Sequence, residues 1–334
     1  MRFQTFFLFV VYAVIILAQN NQISLELAFG YPQWLETDNY RTDQTSGITF
    51  IKSESGKKYF LLADDIGKIH MLIIKDKKID LYPITFADSA KEFVNSLPKA
   101  DFEEITFDSS TNSVYLSIEG NGNNFNEFVG IYKIHFTEDK IPYKEISYFE
   151  KLNFTPSELF YKYTDKNIGY EGFAVNENYF YLGLEGLVKN YQFADSTYIF
   201  IARKSDYLIV KQISTKSFGI HTICGLYSDS NNSLWGIDRN QRKIFHLILD
   251  ENSDVKSFNL YDCSTQIPGY PELNYKPSLE SITIDDENNI YLIDDPWKEV
   301  YVPEQETLNK LNTNTIENFK KFVPIIFSYK IIKN

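Results

Sequence analysis

Cysteine is nearly missing from this chain of 334 residues, and two cysteines cannot build a disulfide scaffold. Histidine is almost as scarce, at four, and no His or Cys cluster offers the ligands zinc favours. The sequence holds no glycine-rich phosphate loop, no Gly-x-Ser-x-Gly elbow and no Cys-x-x-Cys pair. Basic residues are in deficit, with 33 Lys plus Arg against 45 Asp plus Glu and a formal charge of −12. That balance excludes a general nucleic-acid binder, which needs a basic footprint. Apolar residues are plentiful: 43% of the chain is hydrophobic, with 27 Phe and 24 Tyr, enough to bury a large core and rule out wholesale disorder.

Only one long apolar run occurs, at residues 6–18, preceded by Arg2 and followed by Gln19, Asn20, Asn21 and Gln22. It is too short to span a bilayer as a helix, which takes about 17–25 residues. A basic start, a short apolar stretch and a small residue before a polar turn read as a secretory signal cut after Ala18. The mature chain is therefore expected to be secreted or periplasmic, with no membrane attachment, and monomeric.

The body repeats, and repetition at this scale decides the architecture. Five segments share an alternating apolar strand, a polar turn and a second strand ending in a carboxylate. They begin at Ser46, Glu103, Glu171, Cys224 and Glu280, which are 57, 68, 53 and 56 residues apart. Turn residues sit where the pattern needs them, as in Asp108-Ser109-Ser110-Thr111-Asn112 and Asp285-Asp286-Glu287-Asn288-Asn289. Each of the first four units supplies two more strands: 68–74 and 79–84, 128–136 and 145–149, 198–203 and 208–213, 243–249 and 255–261. The fifth has one clear successor, 322–331, and the alternating stretch 23–29 can provide its missing strand. The pattern predicts an all-β fold, a five-bladed β-propeller closed by strands from both ends, with six blades as the alternative. Short helices are expected at 86–97 and 304–318, as excursions from one domain spanning 22–334.

In a blade the innermost strand starts at the face where the second strand ends. Ser46, Glu103, Glu171, Cys224 and Glu280 are therefore expected around the mouth of the central channel. Asp64 or Asp65, Glu119, Glu185, Asp238, and Asp294 or Asp295 are expected in a wider ring on that face. Several glutamates this close cannot all stay ionised without a counter-charge. Hard oxygen ligands point to Ca²⁺ as that charge, held by Ser46, Glu103, Glu171, Cys224 and Glu280. Cys224 is read as a packed free thiol beside the ion, with a disulfide to Cys263 as the alternative. His221, on the loop approaching the axis, is the histidine placed for acid–base work, and Arg239 is the basic residue placed at the mouth.

These residues carry a resemblance. Glu171-Gly172-Phe173-Ala174 followed by Tyr181-Leu182-Gly183-Leu184-Glu185 is similar to esterase-like phytase and SdiA-regulated propellers. Glu103 and Glu280 match the same motif, with Glu104 and Ser281 in place of the glycine. The order Ser46, Glu103, Glu171, Cys224, Glu280 also resembles the Ser and Glu ring that holds axial calcium in five-bladed calcium-activated nucleotidases, the apyrases, and Asp64-Asp65-x-Gly67 is similar to that family too. This chain has Leu184-Glu185-Gly186 where the nucleotidase pattern expects basic residues.

Two functions are expected from this reading. The first is a calcium-binding propeller that takes a small molecule or protein partner at its acidic face. The alternative is a calcium-dependent phosphoester hydrolase, phytase-like or nucleotidase-like. There Asp64 or Asp238 would orient water and Arg239 would steady the substrate. A purely structural module is third.

Overall fold

Each repeat forms an antiparallel four-stranded blade. The computed structural model describes residues 23–189, 192–229, 232–263, 265–297 and 300–333; the expected signal, 1–18, lies outside the described residues. Blade 1 runs outward as Thr45–Glu54, Lys57–Asp64, Lys68–Lys75 and Lys78–Pro83. Blade 2 is Phe102–Asp108, Ser113–Ile118, Gly130–Phe136 and Glu145–Lys151, with Thr85–Phe86 added in parallel at its outer edge. Blade 3 is Gly172–Val175, Tyr179–Gly183, Tyr198–Arg203 and Ile209–Ser214, and blade 4 is Gly225–Ser228, Ser233–Asp238, Lys243–Leu249 and Val255–Asp262. Blade 5 takes Leu279–Ile284, Asn289–Asp294 and Ile325–Lys333 from the C-terminal end and its outermost strand, Ile23–Leu27, from the N-terminal end. The innermost strands touch in the order 1-2-3-4-5-1, so the chain is a five-bladed β-propeller closed by its two ends.

The inner strands read as nearly continuous apolar runs because both of their faces are covered, whereas outermost strands such as Val255–Asp262 are largely exposed. In Lys57–Asp64, Phe60 and Leu62 face blade 5, while Tyr59, Leu61 and Ala63 face blade 2. Five apolar clusters fill the five gaps between neighbouring blades. Full burial of one such Leu or Phe is worth about 1.5–3 kcal/mol, so the gaps hold the ring shut without a disulfide.

Helix Asp88–Ser96 leans Ala90 on the gap between blades 1 and 2. The stretch expected as one helix at 304–318 is two, Gln305–Leu308 and Thr313–Lys320. Asn312 separates them, since its side chain accepts from Thr315 N at 2.9 Å and starts a new helix there. Phe319 on the second helix packs against Trp34, Tyr275 and Tyr301 beside blade 5. Among the described residues no helix is long and apolar enough to cross a membrane.

Candidate functional site

Three inner strands begin with a β-bulge, and each bulge carries a predicted site residue. The register skips Ser46 between Thr45 and Gly47, Glu103 and Glu104 between Phe102 and Ile105, and Glu280 between Leu279 and Ser281. A bulged residue leaves the ladder and is re-aimed; here Ser46, Glu103 and Glu280 all line one large cavity at the ring's mouth. Glu171 lines it too, one residue before its inner strand begins at Gly172. Cys224 occupies the matching place in blade 4 but is fully covered and does not line the cavity. Its sulfur and one carboxylate oxygen each of Glu171 and Glu280 still lie within 4.8 Å of one another. Both Cys224 and Cys263 are free, so the alternative disulfide does not form.

Below the mouth the inner strands nearly touch, which explains the Gly of the repeated motif. A Cβ on Gly47 would lie 2.4 Å from Glu103 O, and one on Gly225 would lie 2.7 Å from Glu280 O. Glu104 replaces glycine in blade 2 and uses the space the glycines leave. Its carboxyl accepts from Ser281 Oγ at 2.5 Å, Ile105 N at 3.2 Å and Leu226 N at 3.4 Å, joining blades 2, 4 and 5 at the axis. Burial pushes the Glu104 carboxyl well above the usual range, against the pull of those donors.

The wider ring divides by one residue. Asp64, Asp238 and Asp294 turn into the blades and do not line the cavity. Asp64 accepts from Asp43 N at 3.0 Å and Thr45 Oγ1 at 2.9 Å, and meets His70 Nε2 at 2.7 Å. Asp238 accepts from His221 N at 2.6 Å, Thr222 Oγ1 at 3.0 Å and Gln241 N at 3.1 Å. Asp294 accepts from Ile325 N at 2.6 Å. The residues that do face the cavity are Asp65, Glu119, Glu185, Arg239 and Asp295. His221 is half-buried with its ring against Gln241 Nε2, 2.8 Å from Nδ1, and does not reach the cavity. The doubled Asp64-Asp65 and Asp294-Asp295, and Asp238-Arg239, are the sequence signal for this division: the first of each pair staples its blade and the second faces the mouth.

Arg239 sits among the carboxylates. Its Nη1 donates to Glu280 Oε1 at 2.5 Å and its Nη2 to Glu185 Oε1 at 2.6 Å, with Glu171 at 3.8 Å. Across the mouth Lys99 pairs with Asp101 and lies 3.6 Å from Asp65. Neither Lys99 nor Asp101 was singled out from the sequence, because both lie outside the repeated strand pair. Between the two cations stands Glu119, only 3% exposed. Its Oε1 has no hydrogen-bond donor, and among the described residues the side chain has no ion pair. Asp65 Oδ1 and Asp295 Oδ1 also lack donors. One oxygen each of Asp101, Glu103 and Glu119 lie within 4.8 Å of one another, and the same holds for Glu119, Glu171 and Glu185.

Burial, reinforced by neighbouring carboxylates, drives Glu103, Glu119 and Glu171 well above the usual carboxylate range. Burial raises Asp65 to about 7 despite Lys99, and raises Glu185 to about 7 despite Arg239. Nine carboxylates against four cationic side chains line a cavity of about 1060 Å³. Such a site can take up protons, bind a metal cation or bind an organic one, since its carboxylates outnumber the four cations Lys99, Arg239, Arg242 and Lys276.

No protein-family model matches this chain, and neither does any curated protein. Among solved structures it is similar to the PQQ-bound aldose sugar dehydrogenase from Streptomyces coelicolor, at 10% identity and a TM-score of 0.46, over 93% of this chain and 99% of that one. It is also similar to a glucose dehydrogenase, at 10% identity and a TM-score of 0.44 over 79% of this chain and 96% of that one. A luciferin-regenerating enzyme aligns at 10% identity and a TM-score of 0.42, over 90% of this chain and 95% of that one.

Proposed function

We propose that this protein is a calcium-binding β-propeller that holds a small ligand or partner at its acidic mouth. The observation that carries the reading is Glu119, buried with an oxygen that no donor meets, among further carboxylates of which only some are neutralised. The donor set fits the ion: hard carboxylate oxygens line the cavity, while the Cys224 thiol, its pKa raised by burial, does not. Glu103 and Glu119 would hold it together with Asp101, which the ion would share with Lys99, on the side of the mouth away from Arg239. Glu171 and Glu280, also expected as ligands, already share Arg239. An exported protein, as proposed from residues 1–18, would meet calcium at levels that fill even a weak site.

The phosphoester hydrolase is the second reading, and two features weigh against it. Arg239 is engaged by three carboxylates, which leaves it poorly placed to steady a phosphate. Asp64 and Asp238, the expected water-orienting residues, spend their oxygens on backbone and side-chain donors within the blades. The test is to melt the protein lacking residues 1–18 with calcium and with chelator, and to assay it on an aryl phosphate and on nucleotides. Calcium at a hundred times its Kd adds about 2.7 kcal/mol. A calcium-dependent rise in Tm without turnover supports the binder. Turnover that disappears in a folded Glu171→Gln variant supports the hydrolase, and identical melts with calcium and chelator overturn the ion.

A further inference from the structure

We infer that the ligand taken at this mouth is a small organic amine, a protonated ammonium carried on an aromatic or aliphatic body. The inference rests on the acidic-mouth reading above and starts from a feature that a metal ion leaves unexplained. Of the eleven exposed large apolar side chains among the described residues, four line this one cavity: Phe193, Trp297, Val300 and Val302. Trp297 is 50% exposed and Val300 49%. Scattered exposed apolar residues need no explanation, but a cluster inside a cavity does.

The chain places this wall directly against the acidic residues. Trp297 follows Asp295 by two residues, in a tight turn where Trp297 N donates to Asp295 O at 2.8 Å. Phe193 lies over Gly186, the residue after Glu185, so closely that a Cβ there would meet its ring at 2.4 Å. An apolar wall and a carboxylate floor therefore meet at two separate points of the ring.

A ligand that fits both must be apolar along its body and cationic at one end. An ammonium supplies N–H donors to oxygens that have none, Glu119 Oε1 first among them. It also offsets charge that Lys99, Arg239, Arg242 and Lys276 together leave uncovered, and its body covers Trp297 and the two valines. The indole face adds cation–π attraction of roughly 0.5–2 kcal/mol where the charge comes over it. A neutral sugar could stack on Trp297 but would leave the negative charge standing, and an anion would add to it. The volume, about 1060 Å³, is at the upper end of small-molecule sites.

The probe is 2-phenylethylammonium, titrated into the full mature chain with tryptophan fluorescence and calorimetry as readouts. Neutral 2-phenylethanol, anionic 3-phenylpropionate and glucose serve as comparators. The ammonium is expected to bind at least tenfold tighter than each comparator. Glu119→Gln and Trp297→Ala should each weaken it at least tenfold; Trp297 is half exposed, so its removal leaves the fold intact. Equal or tighter binding of any comparator, or parent-like affinity in both variants, overturns the inference. Calcium is titrated in parallel. Calcium binding without ammonium preference sinks this inference alone, ammonium preference without calcium binding sinks the ion alone, and neither binding sinks both.

Discussion

Replacing Arg239 by methionine keeps most of the side-chain volume and removes the charge that three acidic residues share. In the parent, Nη1 and Nη2 lie 2.5 and 2.6 Å from Glu280 and Glu185, with Glu171 at 3.8 Å, and the guanidinium side chain is 25% exposed. Removing one partner from a fully buried ion pair costs about 3–5 kcal/mol. Partial exposure puts this site at the lower end, about 3 kcal/mol, or a fall in Tm of roughly 4–6 °C for a chain of this size. The cost depends on pH, because Glu185 titrates at about 7 and can take up a proton instead. Scanning calorimetry of parent and Arg239→Met in chelator, at pH 8 and pH 5, should show the full loss at pH 8 and a clearly smaller one at pH 5. Calcium at pH 8 should recover part of it. A variant that melts with the parent at pH 8, or loses as much at pH 5, would refute the reasoning.

Three further outcomes follow from the same geometry. Burial keeps the Glu104 carboxyl above its usual range, so denaturant unfolding should find Glu104→Gln within about 1 kcal/mol of the parent, whereas Glu104→Leu strands the donors of Ser281 and Leu226 and costs about 2–3 kcal/mol. Gly47→Ala forces a methyl against the backbone of Glu103 and Ile105 and should cost about 2 kcal/mol or more by the same measurement. In chelator the parent itself should melt higher at pH 5 than at pH 8. Asp65, faced by Lys99, Asp101 and Asp64, and Glu185, faced by Arg239, Glu280 and Glu171, both bind protons more tightly folded than unfolded. Their contribution is complete below about pH 4 and is lost as pH rises through about 7, and a flat or reversed profile contradicts it.

The five-bladed ring was legible because two-sided burial writes the same apolar run into every blade. Leu61 with Leu62, and Tyr181 with Leu182, are neighbours that bury toward opposite gaps. Closure by residues 23–27 was legible for the same reason: their alternation needs a partner, and Ile325–Lys333 offers the free edge. What the linear pattern hides is direction at strand ends. Asp64 and Asp65 are equally acidic, yet Thr45 and His70 claim the first, and only three-dimensional register shows which one faces the mouth. Lys99 and Asp101 come from a connecting segment between blades, outside any repeat. The apolar wall was hidden too, since Phe193 lies in the two-residue strand Gln192–Phe193 and Trp297 in a turn.

The most direct measurement is a calorimetric titration of CaCl₂ into chelator-stripped protein and into its Glu119→Gln variant, with circular dichroism confirming that both remain folded. Burial of acidic residues around Glu119 predicts one saturable calcium site in the parent and none, or one at least tenfold weaker, in the variant. No saturable binding in the parent, or equal binding in both proteins, would contradict the account.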